Sequence, residues 1–263
     1  MIRSADSLKR LELRARDGVL GRVKDLYFDD DRWTIRYLIV ETGTWLNSRK
    51  VLIATSVLDA PDWAGGTIPV NLSTEQVRHS PSLDTEEAVT REQETGLQAH
   101  YGWPAYWIGG DYMGALATPM PVVEAPLHPP IPATAEAAIA ANPAVRTAPH
   151  GDPRLRRAGA VLGYRLEATD GAAGHIDDLL FEDLTWSIQY LVIDPANWWP
   201  GRKVVVSPDW ISSVSWAQSR VYIDLTREAV KAAPAYDPDA SWDEDYARKL
   251  HRHTTGSVPA GRE

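Results

Sequence analysis

The sequence predicts a mainly β protein: two tandem small antiparallel β-barrels, each followed by short helices and joined by a Pro/Ala-rich linker. Three observations carry that prediction. The chain repeats itself at a fixed offset of 153 residues, so that Asp17 to Ala54 aligns without a gap on Asp170 to Ser207 with 15 of 38 positions identical. Within each copy, apolar residues recur at the period of a half-buried strand. These segments are short and joined by tight Asp- and Gly-containing turns, a pattern that favours a small sheet closed on itself to remove its edges. A repeat this long is a domain pair rather than a solenoid. The expected division is a first barrel at 1–78, a helical extension at 79–102, a linker at 103–157, a second barrel at 158–231 and a C-terminal helix and tail at 232–263.

In the first copy, Leu11, Leu13 and Ala15 alternate with Glu12, Arg14 and Arg16, giving a strand that ends at the turn Asp17-Gly18; Gly171 marks the same turn in the second copy. The next strand carries Val19, Gly21 and Val23, but its following apolar residues are Leu26 and Phe28, one position out of phase. Ile176, then Leu179 and Phe181, repeat the slip. A one-residue slip turns the core face to solvent unless the strand bulges, so a β-bulge is predicted at Lys24-Asp25 and Asp177-Asp178. After the acidic turn Asp29-Asp30-Asp31, Trp33 to Glu41 forms a strand whose second half is apolar on both faces and therefore central. Val51 to Ile53 and Thr67 to Leu72 supply the last strands. Capping-box spacing opens helices at Ser73 and Thr90, with echoes at Thr226 and Ser241. Between the copies, Pro104 to Pro153 holds 10 of the chain's 19 prolines and an Ala-rich tract, too little apolar surface to offset the entropy of ordering. Trp103, Tyr106, Trp107, Ile108, Tyr112 and Met113 are too apolar for a plain spacer, and are expected to pack on the first barrel's own helix or to hold a partner.

Composition removes several functions. With a net charge of −9 and no long block among 27 basic residues, direct binding to nucleic acid is not expected. Absence of cysteine excludes disulfides, thiolate metal sites and thiol nucleophiles, and fits a reducing, cytoplasmic setting. No apolar stretch is long enough for a membrane helix, and the first residues lack a signal-type apolar region, so contact with a membrane is expected only through a partner. Nucleophile-elbow, dinucleotide-binding and Walker A patterns are missing. Neither a catalytic residue nor a cofactor or metal site is expected.

Gly21 to Asp30, Trp33 to Glu41 and Arg49 to Ile53 resemble the PRC-barrel family, named for the cytoplasmic domain of the H chain of purple-bacterial photosynthetic reaction centres. Gly174 to Phe181, Trp186 to Asp194 and Arg202 to Val206 resemble it too. The resemblance implies a non-enzymatic domain that assembles larger complexes, as in stand-alone bacterial proteins with two such barrels. Alternatives are an H-chain-like accessory of a photosynthetic or electron-transport membrane complex and a ribosome-maturation-type factor.

The candidate interaction residues are Trp45, Trp198 and Trp199, large aromatics in polar loops, where such side chains anchor protein interfaces. They serve equally if the two barrels pack on each other pseudo-symmetrically or if the chain forms homo-oligomers. Arg49-Lys50 and Arg202-Lys203 recur before a strand, either to clamp an anionic partner or to act as edge charges and salt-bridge partners of Asp25 and Asp178. The acidic residues of the turns read as turn and solubility residues rather than metal ligands.

Overall fold

The computed structural model describes residues 1–81, 89–107, 155–195 and 202–238. The linker from 108 to 154, the pair Trp198 and Trp199 and the helix expected from Ser241 lie outside them.

The first sheet contains β2 (Glu12–Ala15), β3 (Gly18–Asp29), β4 (Thr34–Thr42), β5 (Lys50–Ala54) and β6 (Thr67–Pro69) in the order β5-β4-β3-β2-β6. The second contains β8 (Arg165–Ala168), β9 (Gly171–Glu182), β10 (Ile188–Asp194), β11 (Val204–Val206), β12 (Ile211–Ser215) and β13 (Arg220–Ile223) in the order β11-β10-β9-β8-β13-β12. Two expectations need correction. The sheets are mixed rather than antiparallel, because β6 lies parallel to β2 and β13 parallel to β8. Nor are they closed barrels. In the first copy the edge strand breaks at a 3-10 corner, Thr55–Val57, where the Thr55 hydroxyl donates to the Ile35 carbonyl at 3.0 Å. Residues beyond that corner, not β5, meet the far side of the sheet, through a Leu58–Val70 bridge.

The strand register carries the phase slip read in the sequence. Val23 pairs with Val40 and Asp25 with Ile39, so Lys24 is skipped. Ile176 pairs with Ile193 and Asp178 with Val192, so Asp177 is skipped. The bulge lets Val23, Leu26 and Phe28 all reach the buried side. Beside it, Gly21 has φ +155°, and a Cβ there would lie 2.0 Å from the Glu41 carbonyl oxygen. Gly174 (φ +128°) meets the Asp194 carbonyl in the same way, at 2.3 Å. Only glycine permits this close approach.

The two halves exchange arms. β3 has twelve residues, but β2 covers only its first part, Gly18 to Arg22, leaving one edge of its second part bare. That edge is filled by β7 (Leu155–Arg157), which pairs Leu155 with Asp29 and Arg157 with Tyr27. Reciprocally, β1 (Ile2–Ser4) pairs with β9, Ile2 against Glu182 and Ser4 against Leu180. Residues 155–157, assigned to the linker from the sequence, are thus a strand, and each N-terminal arm belongs to the sheet of the opposite copy. The short helices that follow, α1 (Ala5–Leu8) and α4 (Ala158–Val161), bury Ala5, Leu8, Ala158 and Val161 in one apolar core continuous through both halves.

A pseudo-twofold axis passes between Thr34 and Ser187, which the 153-residue offset equates and which form a bridge. On either side, Ile35 N–H donates to the Trp186 carbonyl at 2.8 Å and Ile188 N–H to the Trp33 carbonyl at 2.7 Å. Trp33 and Trp186 hold left-handed φ values of 50° and 59°, strained for residues with a Cβ. Their rings stack on Phe28 and Phe181, at 5.3 and 5.5 Å, which offsets part of that cost.

Helix α2 (Thr74–Arg78) begins at a Ser73 capping box and α3 (Arg91–Tyr101) at a Thr90 capping box; α5 (Arg227–Ala232) is capped by Thr226. α3 covers the outer face of the first sheet, burying Leu97 against Tyr27, Tyr37, Ile39 and Leu52.

Candidate functional site

Polar chemistry concentrates at the seam between the halves. Asp25, only 7 % exposed, accepts from Arg157 Nε at 2.6 Å, from Gly159 N–H at 3.1 Å and from Leu26 N–H at 2.9 Å. A Cβ at Gly159 would lie 2.5 Å from the same carboxylate. Its repeat counterpart Asp178 has the Ser4 hydroxyl and Leu179 N–H as donors instead of a guanidinium. Burial pushes the Asp178 carboxyl above the usual range, and the Ser4 hydrogen bond only partly counters it. Asp25 does not pair with Arg49 or Lys50, nor Asp178 with Arg202 or Lys203, the alternative the sequence offers; Lys203 takes Asp177 instead, and the arms of the exchange supply the partners of Asp25 and Asp178.

The second pair of seam contacts is symmetric. Arg156 Nε binds Asp30 at 2.7 Å with its guanidinium 4.1 Å above the Trp216 ring. Arg3 lies 4.7 Å above Trp63 and 3.6 Å from Asp183, which also accepts from the Trp63 indole N–H at 3.1 Å. Asp30 and Asp183, in the acidic turns, are therefore spent on holding the arms rather than presented as a solvated rim. Between the halves, Ala5, Asp6, Asp25, Gly159, Asp178 and Lys203 line a cavity of about 320 Å³.

The sequence-predicted loop residues are placed mainly by their own half. Trp45 sits half-buried in the 3-10 turn Thr44–Leu46, packs on the main core and donates its indole N–H to the Leu20 carbonyl at 2.9 Å. It anchors the loop and leaves Gly43, Thr44, Asn47 and Ser48 exposed. Asn47 and Ser48 both have φ 53°. Arg49 reaches the end of α2, donating to the Val77 carbonyl at 3.0 Å and the Ser80 hydroxyl at 2.8 Å. Lys50 faces Glu41 across the ladder. Lys203 binds Asp177 at 2.6 Å, and Arg202 is half-buried beside it. Gly18 and Gly171 sit where Asp17 and Asp170 cap the following helices: Asp17 accepts from Thr74 N–H and hydroxyl, both at 2.8 Å, and Asp170 from Arg227 N–H at 2.7 Å. These bonds hold both carboxyls below their usual range.

One cluster was missed by sequence reasoning. Glu94 on α3 is 2 % exposed; it accepts from the Tyr106 hydroxyl at 2.8 Å, the Tyr37 hydroxyl at 3.3 Å and Arg91 Nη1 at 3.1 Å. Burial raises its carboxyl to about 7, against the pull of Arg91 and the two phenols. Tyr101 and Trp103 stack at 4.1 Å, and Arg36 and Arg91 cover Tyr106 at 4.2 and 5.6 Å. As far as residue 107, the aromatic tract packs on the first half. Only the capping box hinted at this helix; periodicity does not show that a glutamate faces inward.

Among known families, the PRC-barrel domain matches residues 2–71, the first sheet with its exchanged arm. Those residues carry a PRC-barrel domain; the match does not extend to the second half, whose strands repeat the order of the first. No curated protein matches the chain. Among the described residues no helix is long and apolar enough to cross a membrane.

Proposed function

We propose that this chain is a non-enzymatic, cytoplasmic scaffold that uses its two halves to hold another protein in a larger assembly. The PRC-barrel domain at residues 2–71 points to a protein-interaction module, and the reciprocal exchange of arms is the observation that carries the reading further. Arms paired into the opposite sheet and a shared core join the two halves. The loop 43–48 of the first half has its repeat equivalent at 196–201 in the sequence, and two linked contacts bind more tightly than either alone. Trp45 supports this as the anchor that shapes its loop, with Thr44, Asn47 and Ser48 as the contacting groups; Trp198 and Trp199 are the aromatic contacts of the other loop.

Affinity capture of the tagged full chain from its native cells, with cross-linking mass spectrometry, tests the proposal. A stoichiometric protein recovered by the wild type and lost from a Trp198→Ala/Trp199→Ala variant supports it. Recovery of no protein by the wild type, or of the same protein in equal amount by the variant, counts against it. Recovery of pigment-protein subunits or of ribosomal precursors would assign the assembly to the accessory or maturation class.

A further inference from the structure

The second half carries a group of side chains that the scaffold role does not use. His175 and Asp194 lie opposite each other at the end of the β9–β10 ladder, with His175 Nε2 3.9 Å from Asp194 Oδ2. Ile176 is fully buried, so its neighbours His175 and Asp177 project from the other face of the strand, the face that Asp194 shares through its pairing with His175. The bulge that skips Asp177 keeps its carboxylate on this rim. One donor atom from each of the three side chains lies within 4.8 Å of the others.

We infer that His175, Asp177 and Asp194 bind a divalent first-row transition-metal ion of the Zn²⁺, Co²⁺ or Ni²⁺ class. Bonds of 2.0–2.2 Å in a tetrahedron place ligand atoms roughly 3.4 Å apart, so side-chain rotations closing on the order of 1 Å suffice. The ladder beneath is closely packed: Gly174 lies directly on the Asp194 carbonyl with no room for a side chain. An imidazole with two carboxylates selects a borderline ion over Mg²⁺ or Ca²⁺, which prefer oxygen donors throughout. Three protein ligands leave a coordination position for water or for a partner's side chain.

The first half is an internal control for this assignment. Its positions equivalent to His175, Asp177 and Asp194 hold Arg22, Lys24 and Glu41, and Lys24 neutralises Glu41 at 2.8 Å. On the same scaffold, two cations and a carboxylate have become an imidazole and two carboxylates. Lys203, whose ammonium lies 2.6 Å from Asp177 and whose side chain is 40 % exposed, is positioned as a competing cation that swings to solvent when the ion enters.

Isothermal titration of the full chain with Zn²⁺, paralleled by Co²⁺ absorption and by paramagnetic broadening of the His175 imidazole resonances, tests the inference. One equivalent is expected to bind. Affinity should fall on the order of tenfold or more in Asp177→Asn and Asp194→Asn, and similarly in His175→Gln. Lys203→Met should bind the ion more tightly, a response that a purely structural lysine does not produce. Unchanged Zn²⁺ affinity in these variants, or broadening of histidines other than His175 alone, would overturn the site. So would absence of binding at on the order of 100 μM Zn²⁺, well above ordinary affinities for such ligand sets. Mg²⁺ competing at equal concentration would overturn the ion class.

Discussion

Glu94 should make the stability of the first half fall as pH rises. Its carboxyl ordinarily titrates at 4.5 and is pushed to about 7 in the fold, chiefly because it is buried beneath α3. Between these values the folded chain binds more protons than the unfolded chain, so unfolding free energy declines with pH, by about 1.4 kcal/mol per unit at the steepest. The contribution is complete below pH 4.5 and is lost as the pH passes 7. The groups facing Glu94 are Arg91 on its own helix, Tyr37 from β4, Tyr106 from the aromatic tract and, farther off, Asp29 of β3. Burial raises both phenols far above the working range, so neither titrates there. Over the whole window the loss amounts to about 3 kcal/mol. Glu94→Gln keeps the shape and accepting oxygen but cannot ionise. Urea unfolding of wild type and variant at intervals from pH 4.5 to 8 isolates this group, since other titrations cancel in the difference. The variant should gain on the wild type by about 3 kcal/mol between the ends of the series. A difference that stays constant with pH, or that favours the wild type at high pH, would refute the reasoning.

Other expectations concern the seam and the turns. Gly21→Ala and Gly174→Ala should each lower stability by roughly 3 kcal/mol or more, because the new Cβ meets a backbone carbonyl; Gly66→Ala, with open space but φ +68°, should cost only about 1 kcal/mol, and thermal melts compare the three. Arg157→Ala removes the guanidinium from Asp25 and should cost about 2 kcal/mol, below the usual loss for a fully buried pair because the arginine is 29 % exposed; Ser4→Ala should cost about 1 kcal/mol through Asp178. Deleting residues 1–8 should bare the edge of β9 and remove Leu8 from the common core, which limited proteolysis would show as faster cleavage in the second half. Trp45→Phe should lose about 1 kcal/mol with its hydrogen bond to Leu20, while partner capture through the other loop persists.

Local chemistry was legible in the chain; pairing across it was not. The phase slip between Val23 and Leu26 located the skipped residue, because side-chain alternation is a short-range constraint that the sequence displays directly. The capping boxes at Ser73 and Thr90 marked helix starts for the same reason. The parallel seating of β6 on β2 was invisible, since a strand's pattern is the same whichever neighbour it finds. The polar loop around Trp45 leaves open whether its indole meets a partner or packs internally, and the hydrogen bond to the distant Leu20 that makes it the anchor of its own loop has no local signature.

What the sequence determined by itself was the duplication, the mainly β character, the positions of turns and bulges, and the absence of cysteine chemistry. Tertiary structure alone decided that the copies are interlocked. Ile2–Ser4 and Leu155–Arg157 each follow the same repeat and fit either sheet locally, so nothing in their residues selects the opposite half. The choice arises where β2 is too short to cover β3 and a bare edge remains for an arm to fill, a property of three strands together. The same geometry brings Asp25 to Arg157 and Gly159, each more than 130 positions away from it, in one contact that no local pattern foretells.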